Sequence, residues 1–152
     1  MVFIMDREAY MRLAIEQAQI ARNNGEIPVG CVIADSYGNI LGRGHNRCEH
    51  KKSPLAHAEL EAISQACSER GDRRLDGCAL YVTLEPCPMC AGAIINSRIS
   101  TVVFGAREPI SGACGSVLNL FEEKFGHRPA IYGGVLEAQC RELMSDFFKK
   151  LR

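Results

Sequence analysis

The sequence has no excess of charge of either sign and no long apolar run. Its 18 Lys and Arg residues balance 18 Asp and Glu residues, so it lacks the overall basic character of proteins that bind nucleic acid non-specifically. No stretch approaches the roughly 20 apolar residues that cross a bilayer. The start, Met1 to Asp6, lacks the basic residues and apolar length of an export signal. We therefore expect a soluble, cytoplasmic protein without membrane contact, in which any contact with nucleic acid is local.

The eight cysteines do not indicate a disulfide framework. Four of them, Cys31, Cys67, Cys78 and Cys140, lie in apolar or motif positions of a chain without a recognisable export signal. We expect reduced thiols, some of which bind metal.

Helix and strand patterns alternate along the chain. Its length of 152 residues and hydrophobic content of 47% suit one domain, which we predict over residues 1–152. Apolar spacing, β-rich runs and turn residues predict helices over 6–24, 54–67, 87–96, 116–125 and 136–151, and strands over 29–34, 40–44, 79–84, 100–104 and 129–132. The first two strands form a hairpin. This order predicts a three-layer α/β/α domain with a mixed sheet of about five strands and helices on both faces.

Two segments at predicted helix starts carry the residues that could do chemistry. His57 and Glu59 form an H-x-E motif, and Cys87 and Cys90 form a P-C-x-x-C motif. A C-x-x-C at a helix start lets both thiols point at one ion, and the positive end of the helix favours thiolates. With His57 as the third ligand, the motifs predict one zinc ion with a coordination position left open for water, as in catalytic zinc sites.

A carboxylate must lie beside this water. Zinc lowers the pKa of bound water from about 16 towards about 7. Hydrolysis of an amidine C–N bond then needs protons delivered to a ring nitrogen and to the departing ammonia, and Glu59 is the predicted proton carrier. The combination of H-x-E with P-C-x-x-C is the known signature of zinc nucleobase deaminases.

Other interpretations of the motifs stay open. A C-x-x-C alone is often redox-active or structural. A fourth ligand from Cys48 or Cys114 would close the metal site and make it structural. A thioredoxin-type redox role leaves His57 and Glu59 unexplained.

Segments spread over essentially the whole chain resemble one family. They are EIPVG at 26–30, LYVTLEPCPMCAGA at 80–93, SR at 97–98, VVFGAR at 102–107, GACGS at 112–116, GVLE at 134–137 and SDFF at 145–148. Together they resemble the bacterial tRNA-specific adenosine deaminases. The resemblance implies the cytidine-deaminase fold, a homodimer with one zinc ion per subunit, and conversion of adenosine to inosine at the wobble position of a tRNA anticodon.

The resemblance also implies roles for residues around the metal. Asn46 is expected to hydrogen-bond the base, although asparagine is also a common turn residue, and the backbone amide of Ala58 is expected near the zinc-bound water. A base flipped out of the anticodon loop needs an apolar slot and cationic contacts for its phosphates. Predicted to line the slot are Ile27, Pro28, Val29 and Leu84. Arg107 is a candidate for the phosphates, and Glu108 occupies a substrate-recognition position at which many relatives have aspartate.

Two further functions stay open. Deaminases of free bases or nucleosides, such as guanine or cytosine, share the metal motif, but segments 104–116 and 145–148 resemble the tRNA enzymes. A non-catalytic, zinc-stabilised RNA-binding subunit is the lesser alternative, because such proteins usually lack the proton-carrying glutamate and Glu59 is present. Glu85 is interpreted as a structural carboxylate that accepts backbone N–H groups before a helix.

Overall fold

The computed structural model describes residues 6–151, so Arg152 and nearly all of the segment that bears on an export signal lie outside the described residues. The helices are α1 (Arg7–Asn23), α2 (Cys48–Lys51), α3 (Ala58–Arg70), α4 (Pro88–Ser97) and α5 (Glu137–Lys150), and the strands are β1 (Gly30–Ala34), β2 (Ile40–His45), β3 (Ala79–Leu84), β4 (Thr101–Ala106) and β5 (Ala130–Tyr132). Among the helices of residues 6–151, none is long and apolar enough to cross a membrane.

The five strands form one mixed sheet in the order β2-β1-β3-β4-β5. Strand β1 pairs antiparallel with β2 and with β3, and the pairs β3–β4 and β4–β5 are parallel. The predicted hairpin and the predicted mixed sheet of five strands are confirmed.

Helices cover both faces of the sheet, which confirms the three-layer prediction. Alternate residues of β1 point to opposite faces of the sheet, and the strand is buried along its whole length because helices cover both faces. On one face Cys31 and Ile33 pack in a core with α3 and α4, and on the other Val32 and Ala34 pack with α1 and α5.

Two strand glycines allow the helices to approach the sheet closely. A Cβ atom on Gly30 would lie 2.0 Å from the carbonyl oxygen of Ala14 in α1. A Cβ atom on Gly44 would lie 2.2 Å from the carbonyl oxygen of Ala58, the first residue of α3. The absence of a side chain at Gly44 therefore sets how close the start of α3 lies to β2.

Three local predictions need correction. The helix predicted over 116–125 is wrong, because only a short 3₁₀ helix forms at Leu120–Glu122. The backbone there bonds in a different pattern, with Leu120 N–H donating to the carbonyl of Ala113. The helix predicted from residue 54 begins at Ala58, after a turn and an extended His57. Helix α2 was not predicted, since its single turn is too short to show a periodic pattern.

Replacement of Gly44 tests the close contact between β2 and α3. Gly44→Ala is expected to lower the free energy of unfolding by about 1–3 kcal/mol or more, because the new methyl group overlaps backbone atoms that cannot move alone. The matched control is Gly92→Ala in α4, where a Cβ atom would meet nothing within 4 Å. The control should be neutral or more stable by up to about 1 kcal/mol. Equal stability of the two variants in urea denaturation would contradict this account of the packing.

Candidate active site

The three predicted metal ligands meet where two helices begin. His57 is the N-cap residue of α3, Cys87 is the N-cap residue of α4, and Cys90 lies in the first turn of α4. The His57 Nδ1 atom lies 3.6 Å from Cys87 Sγ and 3.5 Å from Cys90 Sγ. Tetrahedral zinc, with bonds of about 2.3 Å to sulfur and about 2.0 Å to nitrogen, places such atoms about 3.5 Å apart. The donor set therefore fits one zinc ion.

The chain's own groups already favour a thiolate at this point. The hydrogen bond with Cys90 lowers the pKa of Cys87 to about 4, against the opposing effect of burial, and a hydrogen bond with His57 lowers it further. The N-terminus of α4 adds its positive dipole end. The same hydrogen bond, together with burial, raises the pKa of Cys90. Zinc held by these residues would displace the remaining thiol proton, as metal binding to thiols does generally.

A cavity of about 320 Å³ opens beside the ligands. Its lining includes Ile27, Val29, Asn46, His57, Ala58, Glu59, Leu84, Glu85, Cys87, Glu108, Ile110, Ser111, Met144 and Phe148. Glu59 is 4% exposed, and burial raises the pKa of its carboxyl to about 7. A carboxyl group with this pKa can both accept and donate a proton near neutral pH, which is the property required of a proton carrier.

Most, but not all, of the predicted substrate-binding residues line the cavity. Those that do are Ile27, Val29, Asn46, Ala58, Leu84 and Glu108. Pro28 is buried outside the lining, and exposed Arg107 also lies outside it, with its guanidinium carbon 5.5 Å from the centre of the Phe104 ring. Among the described residues, the possible metal cluster contains His57, Cys87 and Cys90 without Cys48 or Cys114.

The Asn46 side chain is oriented by the turn that follows it. Its Oδ1 atom accepts a hydrogen bond of 3.4 Å from the backbone N–H of Cys48, and the backbone N–H of Asn46 donates to the carbonyl of Val29. This arrangement assigns the amide oxygen to the turn, which leaves the NH₂ group as a donor for an acceptor in the cavity. The turn role and the base-binding role of Asn46 are therefore compatible.

Four lining residues were not predicted: Ile110, Ser111, Met144 and Phe148. Ile110 is 86% exposed, which is unusual for a large apolar side chain. Met144 and Phe148 are four residues apart and so share one face of α5. Phe148, Ile110 and Ser111 belong to the segments 145–148 and 104–116 that resemble the tRNA enzymes, and this was a signal available from the sequence. The place of Met144 at the cavity depends on how distant segments pack.

Comparison with known proteins agrees with this geometry. The family model of the cytidine and deoxycytidylate deaminase zinc-binding region matches residues 5–106. The chain is 47% identical over 146 residues to a tRNA-specific adenosine deaminase of Bacillus subtilis (strain 168), covering 95% of this chain and 90% of the relative. It is 43% identical over 149 residues to one of Aquifex aeolicus, covering 97% of each. The chain belongs to the tRNA-specific adenosine deaminase family.

Two solved structures of deaminases superimpose on this chain. A structure from a study of A-to-I editing by tRNA:A34 deaminases superimposes with a TM-score of 0.85 and 38% identity, covering 89% of this chain and 98% of the other. A guanine deaminase from Bacillus subtilis superimposes with a TM-score of 0.65 and 39% identity, covering 68% of this chain and 66% of the other. The likeness to the tRNA deaminase therefore extends over more of the chain.

Loss of one ligand tests the metal centre of this family member. Cys90→Ser is expected to reduce bound zinc from about one ion per chain to below about a tenth, because a serine hydroxyl stays protonated and binds zinc poorly. Cys114→Ser and Cys48→Ser are the matched controls and should keep the full zinc content, measured by atomic emission on purified protein. Loss of zinc from either control would mean that the site has a fourth protein ligand.

Proposed function

We propose that this chain hydrolyses adenosine to inosine at the first anticodon position of a tRNA. The observation that carries the proposal is a cluster of three metal ligands beside a cavity that two of them, His57 and Cys87, line together with the buried Glu59. Relatives named tRNA-specific adenosine deaminase, which match nearly the whole chain, support the choice of substrate.

Different residues bind the metal and transfer the protons. His57, Cys87 and Cys90 would hold zinc, which when bound supplies water activated for attack at neutral pH. Glu59 removes a proton from the attacking water and delivers it to the ring nitrogen of adenine as oxygen bonds to C6. Glu59 then passes the second water proton to the amino group. The C6–N bond breaks, and the products are inosine and ammonia.

The surrounding residues hold the base and its backbone. In this proposal the NH₂ group of Asn46 would donate to a ring nitrogen and the backbone N–H of Ala58 would lie near the attacking water. The apolar slot formed by Ile27, Val29 and Leu84 would contact the ring. Pro28 lies between Ile27 and Val29 in the sequence and is buried. Arg107 lies on the exposed segment after β4, where its guanidinium can reach a phosphate of the anticodon loop.

A free-base deaminase is the competing function. A guanine deaminase shares the fold and 39% identity over 68% of this chain. Residues 104–116 and 145–148, which resemble the tRNA enzymes, contribute Glu108, Ile110, Ser111 and Phe148 to the cavity. These apolar and polar groups at the mouth of the cavity suit contacts beyond the base itself, so they favour an RNA substrate.

We also propose that the protein acts in the cytoplasm, where its tRNA substrate is found, and as a homodimer. Phe125 is 54% exposed and flanks a groove that includes Ile63 and Ile95 together with the arginines at 73, 74 and 98. Aromatic side chains and arginines are both enriched at surfaces that another subunit covers.

The proposed substrate predicts a change at one position in the sequence read from the tRNA. Incubation of the purified protein with an unmodified tRNA that carries adenosine at position 34 should convert that adenosine to inosine, read as an A-to-G change after reverse transcription. A tRNA with adenosine only elsewhere in the anticodon loop is the control. The proposal fails if position 34 stays unchanged while free guanine is deaminated.

The role of Glu59 predicts that its replacement lowers turnover without weakening the binding of zinc or tRNA. Glu59→Gln keeps the size of the side chain but cannot carry the proton, so turnover should fall by about 10²–10⁴-fold. Zinc content and tRNA affinity should stay close to those of the wild type. A Glu59→Gln enzyme that converts tRNA at a near-normal rate would show that another group moves the proton.

A further inference from the structure

Glu85 is a buried carboxylate that the proposed chemistry does not use. It lies between β3 and α4, and it is 2% exposed. Its oxygen atoms accept hydrogen bonds from the backbone N–H groups of Glu108 (3.1 Å), Cys114 (2.9 Å) and Ser116 (3.1 Å). The Ser116 hydroxyl also donates to it. All four donors belong to one irregular segment, residues 107–116.

The same segment forms one wall of the cavity. Glu108, Ile110 and Ser111 all line it. Glu108 is bound by Glu85, and Ile110 and Ser111 lie between it and Cys114, the next residue that Glu85 binds. The segment contains no helix or strand, so its backbone lacks a regular ladder to fix its position. A buried carboxylate that gathers three backbone N–H groups supplies this constraint in place of secondary structure.

Close packing against Glu85 adds a second constraint. A Cβ atom on Gly112 would lie 2.4 Å from Glu85 Oε2 and 2.5 Å from the carbonyl oxygen of Glu108. The segment is therefore folded directly around the carboxylate, with no room for a side chain between them.

We propose that Glu85 is a positioning residue for substrate binding, which holds residues 107–116 as the wall that contacts the anticodon loop. Glu85 also lines the cavity, but its oxygen atoms are occupied by the hydrogen bonds from Glu108, Cys114 and Ser116, and the proton path is assigned to Glu59. Removal of Glu85 therefore loosens the wall and weakens binding, while the metal ligands and Glu59 keep their arrangement. This inference rests on the proposed function.

The test separates binding from catalysis. Glu85→Gln keeps the side-chain size but turns an NH₂ group towards backbone donors. It should raise KM for tRNA by about 10–100-fold, the scale expected for a misplaced substrate-positioning element, with kcat within about threefold of wild type. Zinc content should be unchanged. The matched control is Glu16→Gln, the same chemical change on an exposed side chain of α1, with no expected effect on KM.

Variants of Ser116 test the same contact from the other side. Ser116→Ala removes one of the four donors and should raise KM by a smaller factor, whereas Ser116→Thr retains the hydroxyl and should restore binding. In the Glu85→Gln background, Ser116→Ala should have little further effect, because the two residues act as one unit. If Glu85→Gln does not fold, the split between KM and kcat in the Ser116 variants decides.

Three results would overturn the inference: a fall in kcat with KM unchanged, a loss of zinc from Glu85→Gln, or kinetics equal to wild type. The activity of the wild-type enzyme on tRNA shows whether the Glu85 inference or the proposed function has failed. If the wild-type enzyme leaves tRNA unchanged, the function is wrong, and the Glu85 comparison is then made on the base that the wild type does deaminate.

Discussion

The structure depends on bringing three donor atoms within a bond length of one point. His57 opens α3 and Cys87 opens α4, so both helices must begin at the same place. Helix α4 is fixed because it follows β3 after a short connection, and α3 is fixed because Gly44 lets its first residue lie against β2. A small outward movement of α3 would separate His57 from both sulfur atoms. The sheet and its glycines are therefore part of the metal site.

Two buried glutamate side chains hold the backbone of segments near the cavity. Glu85 binds the segment after β4, and Glu26 accepts hydrogen bonds from the backbone N–H groups of Glu49 and His50 at 3.1 and 2.8 Å. The two hydrogen bonds to Glu26 hold α2, which begins two residues after Asn46. Both carboxyl groups are 2% exposed. A short helix and an irregular segment near the cavity are thus held by buried glutamate side chains.

Features that depend on local sequence patterns could be predicted from the sequence, and features that depend on contacts between distant segments could not. The hairpin, the five strands and the ligands His57, Cys87 and Cys90 follow from periodicity and motif spacing. The segment 116–125 resembled a helix because its apolar residues have suitable spacing, but its backbone bonds instead to residues 112 and 113. Helix α2 depends on Glu26, more than 20 residues away in sequence. The position of Met144 at the cavity likewise required the packed fold.

The central claim is that three protein ligands leave zinc with one open position. X-ray absorption spectroscopy of the purified zinc protein tests this directly, since sulfur and lighter ligands scatter differently. The account predicts two sulfur ligands at about 2.3 Å and two nitrogen or oxygen ligands at about 2.0–2.1 Å, one of them exchangeable water. A third sulfur ligand, from Cys48 or Cys114, would contradict it, because the site would then be closed and structural.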